Sequence, residues 1–525
     1  MTDPRPLRPR RALTVAALAV AGLIVLSACS TGTASTGTTA DAEPTAGGTI
    51  TLGRVASVTS FDLNNEITAN NAFAIDKVFE PLVAFDADGQ IIPWLASEWT
   101  ISEDGLTYAF TLRDGVTFSD GTELTPADVV FSLERHLAVG GPLPLDAPIG
   151  SIVADGDAGV TITLTEAYTP FLAELSGFQN GIFPADFQGK SETDFFADPI
   201  GTGPFVVSEW DPAGDLTFAA NENYWESGQP YIDTLVYKLI ADDTQLTQQL
   251  KAGQINAIDE VNSADVESLK SSADITVETV GSWEIEQMFM NTTNTYFGDR
   301  NVRRAIAMSL DRDGITQATT FGTAEVANSL IPPTIASSAN DEGYALDFDV
   351  DAAKAELAKS AYPDGFTATL LIASGNSLRA QEAQIIQESL SKIGITIEIE
   401  SIDIAAFRAR FFAYDFDAML NSGQSDYPDP DALVSFQADP AGFSKSYWTS
   451  YENPDVTALL DEGRTTADGA DRDAIYLEIQ KILAEDVPYI PLFYPSTLKA
   501  TSSTVHDLTV LPNGSIRFQD AWISE

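Results

Sequence analysis

Cysteine is almost absent from this chain: Cys29 is the only one in 525 residues. A single thiol forms no internal disulfide, so no part of the fold is held by cross-linking. Histidine is nearly as scarce. His136 and His506 stand alone, without a second metal ligand at usable spacing, which argues against a histidine-built metal centre. The sequence carries no Gly-x-Ser-x-Gly elbow, no phosphate-cradling glycine loop and no His-Glu-x-x-His pair. No catalytic residue and no cofactor are therefore assigned. Cations are few as well, with 28 Lys and Arg against 77 Asp and Glu and a formal net charge of −49. A field of that sign repels nucleic acid and anionic lipid headgroups, so neither is expected as a ligand. Carboxylates are so abundant that a glycosidase-type pair stays open, which leaves an extracytoplasmic hydrolase as the remote alternative. Asp426, Asp429 and Asp431 lack the glycine and the terminal glutamate spacing of a calcium loop.

What is present begins at the amino terminus. Arg5, Arg8, Arg10 and Arg11 precede an apolar run from Ala12 to Leu26. That run is shorter than the ~20 residues a helix needs to cross a bilayer, and with its basic flank it has the pattern of a secretory signal over 1–28. It ends in Leu26-Ser27-Ala28-Cys29, which resembles a bacterial lipobox and implies lipidation of Cys29. Residues 29–48 are rich in Thr, Ser, Gly and Ala and have too little apolar surface to offset the entropy of ordering, so a flexible tether is expected. Two acyl chains would hold such a protein to the outer face of the cell membrane.

The remaining 49–525 is longer than one hydrophobic core usually organises, so more than one lobe is expected. Strands are predicted over 49–55, 159–164, 366–373, 395–399 and 416–421, and extended chain over 275–290. Helices are predicted over 71–79, 125–137, 243–253, 301–310, 351–360, 378–392, 405–412 and 471–484, with 422–431 as a loop. Thr125, Pro126 and Asp128 have the chemistry of an N-cap, a first turn and its acidic complement. Asp-Gly pairs at Asp88-Gly89, Asp104-Gly105 and Asp114-Gly115 mark tight turns in a hairpin-rich stretch. The pattern is an α/β protein with a β-rich insertion.

Five segments, in order along the chain, resemble the dipeptide- and oligopeptide-binding proteins of bacterial ABC importers, the extracellular solute-binding protein family 5. They are Ala127-Asp128-Val129-Val130-Phe131-Ser132-Leu133-Glu134-Arg135; Pro199-Ile200-Gly201-Thr202-Gly203-Pro204-Phe205 with Asn221 and Tyr224-Trp225; Lys251-Ala252-Gly253-Gln254-Ile255-Asn256-Ala257; Asp299-Arg300-Asn301-Val302-Arg303-Arg304-Ala305; and Tyr427-Pro428-Asp429-Pro430-Asp431.

The resemblance implies a bilobed periplasmic-binding-protein-like fold, the Venus flytrap, with an additional β-rich inserted domain. Lobe I would take 49–81, 199–283 and 492–525, the insertion 82–198, and lobe II 284–491. A short peptide or other small solute, such as an oligosaccharide, would bind between the lobes of a monomer and pass to an ABC permease and its ATPase. In that family an aspartate at the position of Asp426 pairs with the ligand ammonium, and an arginine placed like Arg379 takes the ligand carboxylate. Ser422 and Gln424 would lend backbone groups in strand fashion, and Trp283 and Tyr494 would wall the pocket.

Overall fold

The computed structural model describes residues 44–65, 68–335, 346–441 and 449–524. The expected signal, Cys29 and most of the tether lie outside them. Within the tether's last residues, the Gly47 amide already donates to the Tyr231 carbonyl (2.7 Å).

A large mixed sheet organises the chain. Its order is Thr396–Ile402, Thr367–Ala373, Ala418–Gln424, Glu284–Met290, Tyr489–Ser502, Ala257–Ile258, Thr49–Arg54, Thr234–Leu239, Leu216–Ala220, Phe205–Trp210. The long strand Tyr489–Ser502 belongs to both halves. Its first residues pair antiparallel with Glu284–Met290, and its last with Ile275–Gly281 and Ala257–Ile258. Two lobes are thus joined by two antiparallel crossings, one at Ser282-Trp283 and one near Tyr494-Pro495. The expected extended stretch over 275–290 is two strands broken at that crossing.

Each lobe has its own core. In the first, Ile50, Leu52, Phe61, Phe79, Phe205, Phe218 and Leu235 pack together. The second is apolar on both sheet faces, one around Leu370, Ile386, Leu390 and Ile395, the other around Phe289, Met419, Leu433 and Tyr476. A sheet buried on both sides needs continuous apolar strands, which is why Thr367–Ala373 and Ala418–Gln424 show little alternation. A separate four-stranded antiparallel sheet (Ala96–Ile101, Thr107–Leu112, Gly159–Leu164, Ile149–Asp155) is the β-rich insertion, with Phe110, Val129, Leu133 and Ile162 in its core.

The recurrent motifs turn out to be joints of this scaffold. Asp128 accepts from both the Thr125 amide (2.8 Å) and its hydroxyl (2.7 Å), starting the helix Pro126–Val139. On that helix, buried Arg135 binds Asp62 (3.0 Å), Asn64 and Glu192. His136 lies between Asn180 Oδ1 (2.9 Å) and the Leu143 carbonyl (2.8 Å), a structural role. Glu80 collects the indole N–H of Trp94 (2.9 Å), the phenol of Tyr224 (3.1 Å) and the indole N–H of Trp225 (3.1 Å). Burial pushes that carboxyl up to about 7, against the pull of its donors. This clamp ties the insertion, through Trp94, to the first lobe. Gly201 and Gly203 do more than bracket a turn. A Cβ at Gly201 would lie 1.9 Å from the Val78 carbonyl oxygen, and one at Gly203 2.4 Å from that of Lys77. The close approach is to backbone, which cannot step aside. Replacing Gly201 by Ala is expected to destabilise the protein by about 1–3 kcal/mol or more, read as a lowered midpoint in urea unfolding.

Candidate functional site: the cleft between the lobes

The strand ending at Gln424 and the turn after it carry the second lobe's share of the cleft. The strand runs on to Gln424, past the expected end at 421, because Glu284 and Glu286 pair with Gln424 and Ser422. Its other neighbour, Thr367–Ala373, pairs only at Ala418 and Met419. Leu420–Gln424 therefore has a strand on one side only among the described residues. The Ser425 amide donates to the Trp283 carbonyl (3.1 Å). By the two-residue period of an antiparallel ladder, the backbone of Gln424 then faces away from that neighbour. Tyr427-Pro428-Asp429 turns the chain into a helix, Pro430–Ala438, whose first two residues fall within the loop expected over 422–431. Asp429 caps it and is bound in bidentate fashion by Arg472 (2.8 and 2.9 Å), while Asp431 takes Arg464 and the Tyr476 hydroxyl. Two of the three clustered acids are thus structural.

Asp426 differs from both. Its carboxylate has no hydrogen-bond or ion-pair partner among the described residues, it is half-buried, and it lines an opening between the lobes with Phe73, Asp76, Phe178, Gln424 and Asn513. Burial alone pushes its carboxyl up to about 6. A second opening of about 210 Å³ is lined by Asp259, Glu260, Glu284, Gln424, Lys499 and Asn513. Here too anions predominate. Lys499 binds Asp259 (2.8 Å), which Arg54 also holds (2.7 Å). Burial opposes that pairing, but the two cations hold the Asp259 carboxyl down at about 2. Burial raises Glu284, with the Ser422 hydroxyl pulling it back. Lys499 is thus the one cation lining these two openings among the described residues, and it is already paired.

The remaining expected site residues fall in three places. Gln424 reaches across the cleft, its Nε2 donating to the Asn513 carbonyl (2.9 Å). Arg379, at the start of the helix Ser377–Ser391, is instead committed to Glu286, with Nε and Nη2 at 2.8 and 2.9 Å from the two carboxylate oxygens. Burial would lower its guanidinium, but Glu286 overrides this and holds it above the ordinary value. It lines neither opening. Trp283 and Tyr494 are core rather than cleft wall. Trp283 is fully buried against Phe85 and donates to the Thr334 carbonyl (3.2 Å), and the Tyr494 hydroxyl donates to the Ser329 carbonyl (2.8 Å). Sequence reasoning missed Asn513, Glu284 and Phe178, which come to the cleft from separate parts of the chain and bear no local signature.

Residues 90–445 match the family described as bacterial extracellular solute-binding proteins, family 5 Middle. The chain belongs to that family. It is 29% identical over 505 residues to a probable di/tripeptide-binding protein 5 of Pseudomonas aeruginosa, covering 90% of this chain and 95% of that protein. It is equally 29% identical to heme-binding protein A of Haemophilus influenzae, over 86% of this chain and 87% of the other. Among solved structures it is similar to the periplasmic binding protein DppA of Helicobacter pylori in complex with the peptide STSA, with a TM-score of 0.82, 27% identity, and coverage of 92% of this chain and 99% of that one. The fold is that of the bilobed periplasmic binding proteins. This family 5 chain is a solute-binding protein of the peptide-binding type used by ABC importers.

The Arg379–Glu286 pair gives a test within this site. Removing one member of a buried pair leaves the other charge uncompensated, so Arg379→Ala is expected to cost about 3–5 kcal/mol of unfolding free energy without any ligand. Denaturant titration of the unliganded protein measures it.

Proposed function

We propose that the protein captures a short peptide between its lobes, binding the peptide's ammonium end at Asp426, and delivers it to an ABC permease. The observation that carries this reading is the unpartnered Asp426 carboxylate in a cleft whose lining cation is already paired. A carboxylate accepts the charge-assisted bonds an ammonium donates, and a closed cleft strengthens the attraction. The one-sided strand up to Gln424 supports addition of the ligand as an extended segment, which reads backbone and not side chains. The peptide complex and the di/tripeptide-binding relative support the same ligand class.

The carboxyl end of the ligand has no comparable anchor in this reading, since Arg379 is held by Glu286. Ligand selection then turns on the positive end, which separates a peptide from a neutral oligosaccharide. We take the lobe boundaries at 81/82, 198/199, 283/284 and 491/492, although Leu492, Phe493 and Tyr494 pack in the second lobe's cores, which puts the return crossing a few residues later than 491/492. A lipid on Cys29 would hold the monomer beside its permease, with no catalytic step of its own.

Calorimetric titration with di- to pentapeptides and with neutral oligosaccharides tests the reading. Peptides are expected to bind, and Asp426→Ala to weaken them at least about 30-fold, the low end of the ~2–5 kcal/mol cost of truncating a buried charge pair. Binding of sugars alone would defeat it. The ammonium needs the ionised carboxylate, and the free group titrates near pH 6. Affinity should therefore be half-maximal at about pH 6, highest at about pH 7, fall about tenfold per unit well below pH 6 and fall again as the ligand amine deprotonates at about pH 8, with proton release on binding near pH 6.

A further inference from the structure

Behind Asp426 lies a larger chamber of about 590 Å³ that the cleft does not account for. Its walls come from two bodies. Leu143, Asp146, Glu166, Glu174 and Gln179 belong to the inserted part of the chain, while Tyr427, Asp461 and Arg464 belong to the second lobe. The two walls meet where Thr169 bonds the end of the helix Pro454–Thr465: its amide donates to the Arg464 carbonyl (2.7 Å) and its hydroxyl to that of Thr466 (2.8 Å). Asp426 lines both this chamber and the opening between the lobes, so it stands at their junction.

The chamber is strongly anionic, and its lining cation is fully engaged. Arg464 reaches Asp439 (2.7 Å), Asp431 (3.2 Å), the Ser435 hydroxyl (2.7 Å) and, more distantly, Asp461 (3.7 Å). The Asp146 carboxylate, on a residue exposed to the chamber and solvent, makes no hydrogen bond or ion pair among the described residues; the protein packed around it pushes it up to about 6, with Asp431 and Asp439 adding to the shift and Arg464 opposing it. Among the described residues, buried Glu174 accepts only from the amides of Asp146 (2.5 Å) and Ala147 (3.2 Å), and burial with the neighbouring Asp146 raises it well above the usual range.

Gln179, only 3% exposed, lines the chamber, while its side-chain oxygen is buried away from the chamber's accessible space and has no hydrogen-bond partner among the described residues.

We propose that this chamber receives the cationic side chain of a lysine or arginine at the ligand's first position, giving the protein a preference for peptides that begin with a basic residue. The inference rests on the reading of Asp426 as the ammonium anchor. Chemistry and reach agree with it. An ammonium held at the junction leaves the first side chain beside the mouth of the chamber. Leu143, Pro148 and Tyr427 can cover an aliphatic stem while the charged head meets the carboxylates. With one wall on the insertion and one on the second lobe, a cation held there contacts both bodies, so its binding favours the arrangement in which they meet.

Titration of the intact protein with Lys-Ala-Ala and with norleucyl-Ala-Ala, which has a similar stem and no side-chain charge, tests the proposal. Wild type should bind the lysyl peptide at least tenfold more tightly. That ratio should fall towards one in Asp146→Asn, an isosteric change at a carboxylate with no hydrogen-bond partner among the described residues to lose, and partly in the rim variant Glu166→Gln. A wild-type ratio within twofold, or a ratio that neither variant alters, overturns the proposal while leaving Asp426 as the anchor. If neither peptide binds wild type, the peptide reading itself fails and takes the proposal with it.

Discussion

The strand Tyr489–Ser502 is the element on which the rest of the structure depends, because it hydrogen-bonds to both halves of the sheet. Strands on either side of the crossing are positioned by register with it, so an error at one end would displace the other. Ser282 and Trp283 sit beside it at the second crossing, the Ser282 hydroxyl bonding to the Pro495 carbonyl and the Trp283 amide to the Pro512 carbonyl (3.1 Å). Two extended crossings resist shear, since each is tied into paired strands, but leave a bend as the soft deformation. Such a hinge suits the proposed capture of a solute between the lobes.

The charged side chains set into the fold divide into two kinds. Arg54–Asp259–Lys499, Arg379–Glu286 and Arg472–Asp429 are paired and bidentate or shared, and they fasten elements far apart in the chain. Half-buried Asp426 and exposed Asp146 are unpaired among the described residues and lie on cavities. With 28 cations for 77 acids, most carboxylates must go without a partner, and nearly all of these can do so in water. For a half-buried carboxylate on a cavity the same shortage has a different effect. It becomes a group whose charge is completed by whatever enters.

Much of the fold was legible in the sequence, and the reason is local. The helix Ser377–Ser391 announces itself by Ile386 and Leu390 on one face, and Pro126–Val139 by its cap chemistry. Asp426 was legible through the run Tyr427-Pro428-Asp429-Pro430-Asp431 beside it, although that run reads as loop and in the structure begins the helix Pro430–Ala438. What stayed hidden depends on partners distant in sequence. Nothing near Arg379 signals that Glu286 will meet it, 93 residues away. Nor does the local sequence around Glu80 reveal three aromatic donors, two of them more than 140 residues further on. Gln179 and Asp146 looked like ordinary members of a β-rich insertion until the second lobe closed a chamber over them.

On the proposed reading of Asp426 as the ammonium anchor, its unpaired carboxylate also explains how ligand capture in the cleft would be coupled to closure. An Asp426 neutralised by its own lysine would be comfortable in the empty protein, and an arriving ammonium would have to displace that partner. Left alone, the carboxyl is raised to about 6, so the empty fold is progressively penalised as the pH rises from the ordinary carboxylate range to that value. An entering ammonium restores the ionised form to favour and removes the penalty. The gain is largest where water is excluded, that is, when both lobes face the ligand. Ligand charge and lobe closure then favour one another, because each strengthens the same interaction. Stability withheld from the unliganded cleft is the source of the ligand's leverage over the conformation, and a fully paired cleft would have none to offer.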